Sequence, residues 1–466
     1  MPNPFPREFK WGVATASYQI EGSSASDGRG TSIWDTFSHT SGKTVNGDTG
    51  DVACDHYRRY AADVALMREL AIQSYRFSIS WPRIFPNGDE KLEPRGFDFY
   101  DRLVDELLEA GISPMATLYH WDLPQALQDR GGWANRETAY AFASYAEKVA
   151  ARLGDRVEQW VTLNEPWCVA WLGYMSGVHA PGIKNLDQAL AAAHHTALAH
   201  GLATRAIRSA SSTANVGLAL NMTNYRVDDP GNADLSTLAD LMDAHVNRWW
   251  LDAFTIGAYP RALTDFYGPK LQAHIEPGDE DILRVGTDFL GINYYSDSFL
   301  GVPAADAKPM QDGGLFPFPQ AASSPIPEPK TAMGWPITAS GIRDLLLRVS
   351  RDWPSVEAIA ITENGAAFDD VPSEDGRILD HQRANYLTSH IAAVGEAVEL
   401  GAPVVSYHAW SFLDNFEWAE GYSKRFGLVY VDYESQNRTP KLSAEVYRSL
   451  ILAHASDSEA VQQPVG

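Results

Sequence analysis

Two glutamates in this sequence end runs of apolar residues that are typical of buried strands. Glu165 follows the run 157–163, and Pro166 comes directly after it. Proline has no N–H to donate to a sheet, so the strand stops there. Glu363 follows the apolar run 358–362 and precedes Asn364. We therefore expect both carboxyl groups to lie at the rim of a sheet.

A facing pair of carboxyl groups is suited to hydrolysis of the acetal link between sugars. That reaction needs a proton at the leaving oxygen and stabilisation of an oxocarbenium-like centre, and each carboxyl group can supply one of the two. At a separation of about 5 Å one carboxylate attacks the sugar and the configuration is retained, whereas a wider gap admits water and inverts it. The sequence leaves this separation open.

Arg76, in the run 74–80, supplies a charge that could determine which glutamate is ionised and which keeps a proton. A guanidinium near the rim would hold a neighbouring carboxylate ionised, as a nucleophile requires. The other glutamate must stay protonated near neutral pH. Burial beside a negative partner would raise its pKa in the required direction.

Apolar strands and amphipathic helices alternate along nearly the whole chain. The helix 51–70 illustrates the pattern, with Tyr60, Val64 and Met67 on one face and Ala71 continuing the spacing just after it. The predicted strands are 10–17, 74–80, 114–119, 157–163, 216–220, 289–292, 358–363 and 404–409, and the predicted helices are 51–70, 97–110, 136–153, 186–210, 234–257, 338–352, 380–400 and 443–453. Eight such units without a clear break predict an α/β fold with a single (β/α)8 TIM barrel over residues 1–455, followed by a disordered tail at 456–466.

The carboxyl ends of the strands of such a barrel meet at one face, which carries the active site. The strand-end residues that should converge there are Gln19, His120, Trp121, Asn164, Glu165, Asn221, Asn293, Tyr295, Glu363 and Trp410. None of these residue types is needed to fill a barrel interior. The irregular stretch 300–336, which includes Trp335, is either a domain linker or a loop over that face, and the alternation that resumes after it favours the loop.

Composition excludes several other functions. The formal net charge is −23, so no basic field exists to recruit nucleic acid or an anionic membrane. The 14 Trp, 20 Tyr and 18 Phe suit a large core and also a site that stacks the apolar faces of sugar rings. Two cysteines, Cys54 and Cys168, and an N-terminus without an apolar signal region predict a soluble, cytoplasmic protein. The sequence contains no metal-binding or phosphate-binding motif, so no cofactor is expected.

Six sequence blocks, in this order, are similar to those of one known family. They are 9–22, 75–83, 118–124, 162–166, 361–365 and 410–418, and they include Asn-Glu-Pro at 164–166 and Glu-Asn-Gly at 363–365. Over nearly its full length the chain resembles a glycoside hydrolase family 1 β-glucosidase. The resemblance implies that Glu165 is the acid/base and Glu363 the nucleophile of a double-displacement reaction that retains the β configuration.

The resemblance also implies which residues hold the sugar. The substrate-binding residues would be Gln19, His120, Trp121, Asn164, Asn293, Tyr295, Trp335, Trp410, Glu417 and Trp418. Within this set, Tyr295 would hydrogen-bond Glu363 and Asn293 would support Glu165, while Arg76 and Asn221 would support the site. The candidates on the leaving-group side are Trp167, Cys168, Leu172, His179, Asn221 and Trp335.

Four related functions are alternatives to an ordinary β-glucosidase. Phospho-glycosidases of the family hold a sugar phosphate with a Ser and a Lys…Tyr pair, whereas this chain has an acidic Glu417, which would repel a phosphate, and has Phe426 where the Tyr is expected. Thioglucosidases replace the acid with Gln, and non-catalytic sugar-binding relatives lose one or both glutamates, whereas both are present here. A transglycosylase would carry the same catalytic residues and stays open. The expected partners are therefore small unphosphorylated β-glucosides such as cellobiose, with some β-galactoside or β-fucoside tolerance.

Overall fold

In the part of the chain that the structure describes, eight parallel strands close into a barrel in chain order. The computed structural model describes residues 4–88, 91–301, 318, 322–323 and 327–460. The barrel strands are β1 (Lys10–Ala14), β2 (Ser74–Ser78), β3 (Ser113–Tyr119), β4 (Gln159–Asn164), β5 (Asn215–Asn221), β6 (Phe289–Asn293), β7 (Ile359–Asn364) and β8 (Val404–Trp410). β1 pairs with both β2 and β8, which closes the barrel, and the predicted TIM-barrel fold is confirmed.

A helix follows each barrel strand and covers the outside of the barrel. These helices are α1 (His56–Glu69), α2 (Pro94–Glu109), α3 (Glu137–Leu153), α4 (Leu186–Ala210), α5, α6 (Ala339–Asp352), α7 (His381–Glu399) and α8 (Leu442–Ala460). α5 consists of Ala233–Asp243, a π-helical turn at Ala244–Arg248, and Trp249–Ile256. None of the helices in the described ranges combines the length and the hydropathy needed to cross a lipid bilayer.

Several boundaries differ from those that the sequence predicts, and three of these differences concern α1, β1 and α8. α1 begins at His56 rather than at 51, because Asp55 has a left-handed backbone with φ of 51° that interrupts any helix before it. β1 ends at Ala14, and Ser17–Ile20 form a short helical turn that carries Gln19. α8 continues to Ala460, beyond the predicted end at 453 and into the predicted tail, of which 461–466 lie outside the described residues.

Shorter elements connect the barrel units. Short helices are Ile33–Ser38, Trp81–Ile84, Gln125–Gln128, Arg261–Tyr267, Pro269–Gln272 and Asp279–Leu283, with 3-10 turns at Val45–Gly47, Gly132–Ala134 and Trp418–Glu420 and a π-helix at Cys168–Ser176. Tyr225–Val227, Ser298–Gly301 and Ala322–Ser323 form a small sheet, and Val429–Val431 pairs with Arg438–Pro440. The predicted loop 300–336 falls largely outside the described residues, although Trp335 is among those described.

The core forms where the barrel strands are buried on both faces. Every residue of β2 and β7 is buried, as expected for parallel strands with side chains inside the barrel on one face and helices against the other. Met115, Val161, Ala219, Phe289 and Ala360 form one apolar cluster to which five different strands contribute. Burial of a large apolar side chain stabilises the fold by roughly 1.5–3 kcal/mol. The strands are therefore rigid supports for the side chains at their carboxyl ends.

A buried ion network fastens the segments after β7 and β8 to the helices behind them. Lys441 Nζ lies 2.5 Å from Asp370 Oδ2 and 2.6 Å from Asp414 Oδ1. Arg383 of α7 binds Asp370, and Arg425 binds Asp414. Because Asp414 belongs to the segment 411–418 that follows β8, the network holds that segment against the barrel.

Removing the central cation of this network should destabilise the fold. Lys441→Met leaves Asp370 and Asp414 buried without the ammonium group between them, and the free energy of unfolding should fall by about 3 kcal/mol. Urea denaturation at neutral pH measures the change. The matched control is Arg261→Met, because the Arg261 side chain is 91% exposed beside Asp265, and this variant should unfold like the parent. Equal losses in both variants would contradict the structural role of Lys441.

Candidate active site

A cavity of about 500 Å³ opens at the carboxyl ends of the barrel strands. Most of the predicted site residues line it, namely His120, Trp121, Asn164, Glu165, Asn221, Asn293, Tyr295, Trp335, Glu363, Trp410, Glu417 and Trp418. The leaving-group candidates Trp167, Cys168, Leu172 and His179 line the same cavity. Arg76 and Gln19 lie behind the lining and reach it through Glu363 and Glu417, respectively. The fold therefore gathers at one mouth residues that are far apart in the sequence.

Both glutamates follow irregularities in the strands that carry them. The pairing of β4 with β5 shifts register between Val161 and Asn164, and the pairing of β7 with β6 shifts between Ile361 and Glu363. Such bulges redirect the side chains at strand ends. Glu165 also has a left-handed backbone, with φ of 47°. A non-glycine residue in that region costs of order 1–3 kcal/mol, which is typical of functional positions that the surrounding fold holds in place.

Glu363 lies between a cation and a phenol. Arg76 Nη1 donates to Glu363 Oε1 at 2.5 Å, and the Tyr295 hydroxyl donates to Glu363 Oε2 at 2.6 Å. Burial raises the pKa of Glu363, while the Arg76 charge and the hydrogen bond from Tyr295 act in the opposite direction. Both of these contacts favour the ionised form.

Glu165 has neutral hydrogen-bond partners and no cation in direct contact among the described residues. Asn293 Nδ2 donates to Glu165 Oε1 at 2.8 Å, and the Cys168 thiol donates to Glu165 Oε2 at 3.3 Å. Burial and then the charge of Glu363 raise the pKa of Glu165 to about 7. Of the two carboxyl groups, Glu165 is therefore the one that holds a proton near neutral pH.

Asn164 and Asn293 link the hydrogen-bond partners of Glu363 to those of Glu165. Asn164 Oδ1 accepts hydrogen bonds from Arg76 Nη2 at 2.6 Å and from Asn293 Nδ2 at 3.0 Å. Thr362 Oγ1 donates to Asn293 Oδ1 at 2.7 Å, which fixes the orientation of that amide. Sequence reasoning did not identify Thr362, because a threonine inside an apolar strand is ordinary. This chain of bonds runs from one carboxyl group to the other and fixes their relative position.

His120 is a neutral imidazole whose Nδ1 carries the hydrogen. Asn164 Nδ2 lies 3.0 Å from His120 Nε2, and because an amide nitrogen only donates, Nε2 must accept. Burial, and secondarily Arg76, lowers the pKa of His120 well below its ordinary value. His120 Nδ1 is buried and has no hydrogen-bond partner among the described residues. It is therefore a donor without a described partner, on a side chain that lines the cavity.

Gln19 supplies a buried acceptor behind the cavity lining. Gln19 Nε2 donates to Asn415 Oδ1 at 3.0 Å and to the Phe416 carbonyl at 2.9 Å. Its Oε1 is buried and has no partner within the described part of the chain. Asn415 Nδ2 in turn donates to Ser411 Oγ at 2.9 Å. Sequence reasoning did not name Asn415, because an asparagine inside the block 410–418 does not by itself indicate that its side chain is buried.

Glu417 differs from the expectation that its charge would repel a phosphate. Burial, followed by the charges of Glu363 and Glu165, raises the pKa of Glu417 to about 8. A carboxyl group with this pKa is mostly protonated at neutral pH, and Glu417 Oε2 accepts a hydrogen bond from Gln19 Nε2 at 3.4 Å. The cavity lining contains neither Lys nor Arg among the described residues and has Phe426 in place of a hydroxyl group, so it offers no fixed cation to a phosphate.

Aromatic rings form the walls around these polar groups. The rings of Trp121 and Trp418 lie 4.5 Å apart, and the His120 ring stacks near both Trp410 and Trp418. Trp335 lies 5.4 Å from the ring of Tyr295. Flat aromatic faces beside buried donors and acceptors suit a ligand with apolar ring faces and several hydroxyl groups, as in a sugar.

The arrangement can break an acetal. One carboxyl group is directed towards the ionised form by Arg76 and Tyr295, and the other keeps a proton to about pH 7 because it is buried beside Glu363. A nucleophile and an acid in one cavity are the two requirements of glycosidic bond cleavage. The contacts of Glu363 suit the role of nucleophile, and those of Glu165 suit the role of acid.

Comparisons with known proteins agree with this chemistry. A family model described as glycosyl hydrolase family 1 matches residues 1–456. The chain is 45% identical over 452 residues to β-glucosidase A of Thermotoga maritima, covering 96% of this chain and 97% of the relative. It is also 45% identical to a bifunctional β-D-glucosidase/β-D-fucosidase of Bifidobacterium breve, covering 97% of this chain and 99% of the relative. A solved structure of the T. maritima β-glucosidase with glucoimidazole has a TM-score of 0.90 at 44% identity and covers 97% of this chain and 99% of that one.

Removing the Tyr295 hydroxyl should raise the pKa of Glu363. Tyr295→Phe deletes a donor to the charged carboxylate, and a shift of about one unit is expected from the strength of such a bond. Titration of ¹³C-carboxyl-labelled protein by NMR measures it, with Glu363→Gln used to assign the signal. The matched control is Tyr294→Phe, whose hydroxyl donates to Asp297 Oδ1 at 2.9 Å. An unchanged pKa in Tyr295→Phe, or an equal shift in the control, would contradict the assignment.

Proposed function

Because this chain belongs to glycosyl hydrolase family 1, we propose that it is a retaining β-glucosidase. It removes terminal non-reducing β-D-glucosyl residues from oligosaccharides and from aryl or alkyl β-glucosides. The similarity to β-glucosidases over nearly the full chain supports the glucosidase activity. The contacts of Glu165 and Glu363 support the mechanism.

The observation that carries the proposal is the contrast between two buried carboxyl groups in one cavity. Glu363 accepts hydrogen bonds from Arg76 and Tyr295, which favour the ionised nucleophile. Glu165 has a pKa raised to about 7 by burial and by Glu363, which favours the protonated acid. A sugar-binding protein without catalysis would need neither a charged nor a proton-holding carboxyl group in these positions.

In the first step, the Glu363 carboxylate attacks the anomeric carbon. The bond from that carbon to the glycosidic oxygen breaks, and its electron pair goes to the oxygen. Glu165 gives its proton to this oxygen, so the leaving group departs as a neutral alcohol. The product is a glycosyl ester of Glu363 in which the sugar has been inverted once.

In the second step, the ionised Glu165 takes a proton from water while the water oxygen attacks the anomeric carbon. The ester bond breaks and its electron pair returns to Glu363 as a carboxylate. The second inversion restores the β configuration, and both glutamates regain their starting protonation states.

Retention is favoured over inversion by the position of Asn293 beside both carboxyl groups. Asn293 Nδ2 donates to Glu165 Oε1 at 2.8 Å, and Asn293 is paired with Glu363 in the register of β6 and β7. Neighbouring strands lie about 4.8 Å apart, so the two carboxyl groups are close together. A spacing of about 5 Å suits direct attack on the sugar, whereas inverting enzymes leave a wider gap for water.

The glycone is held by neutral donors and acceptors. The Nδ1–H of His120, the Oε1 of Gln19 and the protonated carboxyl group of Glu417 can bind several hydroxyl groups of one sugar. Activity on β-galactosides and β-fucosides is a proposed side activity, supported for fucosides by the bifunctional relative. The cavity volume of about 500 Å³ leaves room for a second ring, as in cellobiose.

A panel of substrates tests the activity itself. We expect the highest kcat/KM on aryl β-glucosides and cellobiose, and lower values on lactose and aryl β-fucosides. The β anomer of glucose should form first when hydrolysis is followed by NMR. Initial release of the α anomer would overturn the retaining mechanism, and no hydrolysis of any β-glucoside would overturn the proposed activity.

Transglycosylation is proposed as a minor activity of the same site. The glycosyl ester on Glu363 can react with an alcohol in place of water when the acceptor binds on the leaving-group side. Trp167 and Leu172 give that side apolar surface, which suits such acceptors. Product analysis with an added alcohol should detect alkyl glucosides beside glucose.

The proposed catalytic domain is 1–455, and the proposed location is the cytoplasm. Cys54 and Cys168 are both buried free thiols, and a reducing compartment preserves such groups. Fractionation of cells that express the full chain tests the location, with activity expected in the cytoplasmic fraction.

Removal of the nucleophile should abolish turnover. Glu363→Ala should lower kcat by at least about 10⁴-fold, because no glycosyl ester can form. Azide can enter the space left by the side chain and should restore activity with an α-glucosyl azide as product. The matched control is Glu357→Ala, an exposed glutamate just before β7, which should keep parental activity. Full turnover by Glu363→Ala without azide would contradict the assignment.

Removal of the acid should have an effect that depends on the leaving group. Glu165→Gln should reduce kcat/KM far more for alkyl glucosides and cellobiose than for dinitrophenyl glucoside, because only poor leaving groups need the proton. Steady-state kinetics on both classes measure the ratio. Glu158→Gln, which alters an exposed glutamate at the start of the same strand region, is the control. Equal losses on both classes would contradict the role of Glu165 as acid.

A further inference from the structure

We infer that the transferable proton of Glu165 resides on Oε2 and that the Cys168 thiol is a positioning residue for this oxygen in both of its protonation states. The inference rests on the proposed function, in which Glu165 acts first as an acid and then as a base. Beyond that function, it identifies the oxygen that carries the proton and the side chain that holds this oxygen in place.

The two oxygens of Glu165 have different partners. Oε1 accepts from Asn293 Nδ2 at 2.8 Å. That amide cannot turn, because its oxygen accepts from Thr362 Oγ1 at 2.7 Å. A carboxylic acid keeps its hydrogen on the oxygen that does not face a fixed donor. The hydrogen of the acid therefore belongs on Oε2.

The chain spacing brings Cys168 to that oxygen. Pro166 and Trp167 open a helix directly after Glu165, and the π-helix Cys168–Ser176 continues it. Glu165 precedes the first helical residue, and the side chain of a residue in that position lies near the third residue of the helix. Cys168 Sγ accordingly lies 3.3 Å from Glu165 Oε2, a normal distance for a hydrogen bond that involves sulfur. Cys168 also lines the cavity.

Several titratable or charged groups act on Glu165 from the surrounding elements. They are Glu363 on β7, Arg76 on β2, Tyr295 after β6, Glu417 after β8 and Cys168 after β4. Burial and Glu363 raise the pKa of Glu165, whereas the hydrogen bonds from Asn293 and Cys168 and the charge of Arg76 lower it. Of the groups with a described hydrogen bond to Glu165, Cys168 is the one that contacts Oε2.

A thiol can form a hydrogen bond with the carboxyl group in both of its protonation states. When Oε2 is ionised, the S–H group donates to it, and when Oε2 carries the proton, the sulfur turns and accepts. Both bonds are weak, so the thiol holds Oε2 in place without strongly favouring either form. A hydroxyl group would favour the charged form more strongly, and a methyl group would favour neither.

The same contact keeps the thiol itself unreactive. Burial and then the carboxylate of Glu165 raise the pKa of Cys168 well above its ordinary value. The thiol therefore remains protonated and supplies a hydrogen rather than acting as a nucleophile. Cys54 offers an internal comparison, because it is also buried but donates to the Asp414 carbonyl at 3.0 Å, outside the cavity lining.

The experiment measures the pH dependence of kcat/KM for phenyl β-glucoside, whose leaving group needs the proton. In Cys168→Ala the loss of a donor to ionised Glu165 should move the basic limb upwards by about half a pH unit. In Cys168→Ser the stronger O–H donor should move it downwards by a similar amount. The acidic limb should stay in place in both variants, and Cys54→Ser should move neither limb.

Opposite shifts of the basic limb support the inference. The inference would be overturned by an unchanged basic limb, by shifts in the same direction, or by an equal shift in Cys54→Ser. A merely structural change would not shift the limb in the order of the hydrogen-bond donor strength of the side chain. The proposed function is judged separately by Glu165→Gln. Parental rates in that variant on phenyl glucoside would refute the proposed function, whereas an inactive Glu165→Gln with unshifted Cys168 variants refutes this inference alone.

A second measurement leaves position 168 intact. Alkylation of Cys168 by iodoacetamide at pH 8 is followed by mass spectrometry in the parent and in Glu165→Gln. Removal of the carboxylate should lower the pKa of the thiol and increase its alkylation rate several-fold, while Cys54 stays unmodified in both proteins. Equal rates for Cys168 would overturn the coupling between the two side chains.

Discussion

A guanidinium group buried inside the barrel is the interaction on which the site depends. The Arg76 side chain is 1% exposed and is paired with Glu363 Oε1 at 2.5 Å. A charge this deep is costly unless it is neutralised, and removal of one member of a buried pair costs about 3–5 kcal/mol. Thr117 Oγ1, Asn164 Oδ1 and the Thr362 carbonyl accept the other hydrogen bonds of the guanidinium. The stability of β2 and the ionisation of Glu363 are therefore maintained by the same contact.

Much of the barrel is predictable from the sequence because each element carries its own local signals. The predicted bounds of α4 match the structure, since Asn185 caps the helix by accepting from the Gln188 amide and the helical pattern runs unbroken to Ala210. Pro166 ends the strand that carries Glu165. Closure of parallel strands into a barrel then brings their carboxyl ends together. The proximity of Glu165 and Glu363 could therefore be predicted without knowledge of their individual contacts.

The remaining features depend on geometry that no local pattern signals. Gln19 lies on a helical turn after β1 rather than at the end of a longer strand. Thr362 and Asn415 orient the amides of Asn293 and Gln19, and both are ordinary residue types for their positions in the sequence. The protonation of Glu417 likewise follows from burial and from carboxylates on other strands. Each of these properties arises from neighbours that come together only in the folded chain.

In the proposed reaction, the coupling between the two carboxyl groups also sets the order of events. The charge of Glu363 is, after burial, the largest influence that raises the pKa of Glu165. When Glu363 becomes a neutral ester, that repulsion disappears and the pKa of Glu165 must fall. Glu165 thus holds a proton while an acid is needed and releases it when a base is needed. Asn293 and Cys168 keep the side chain in place through this change, because neither carries a charge that depends on the state of Glu363.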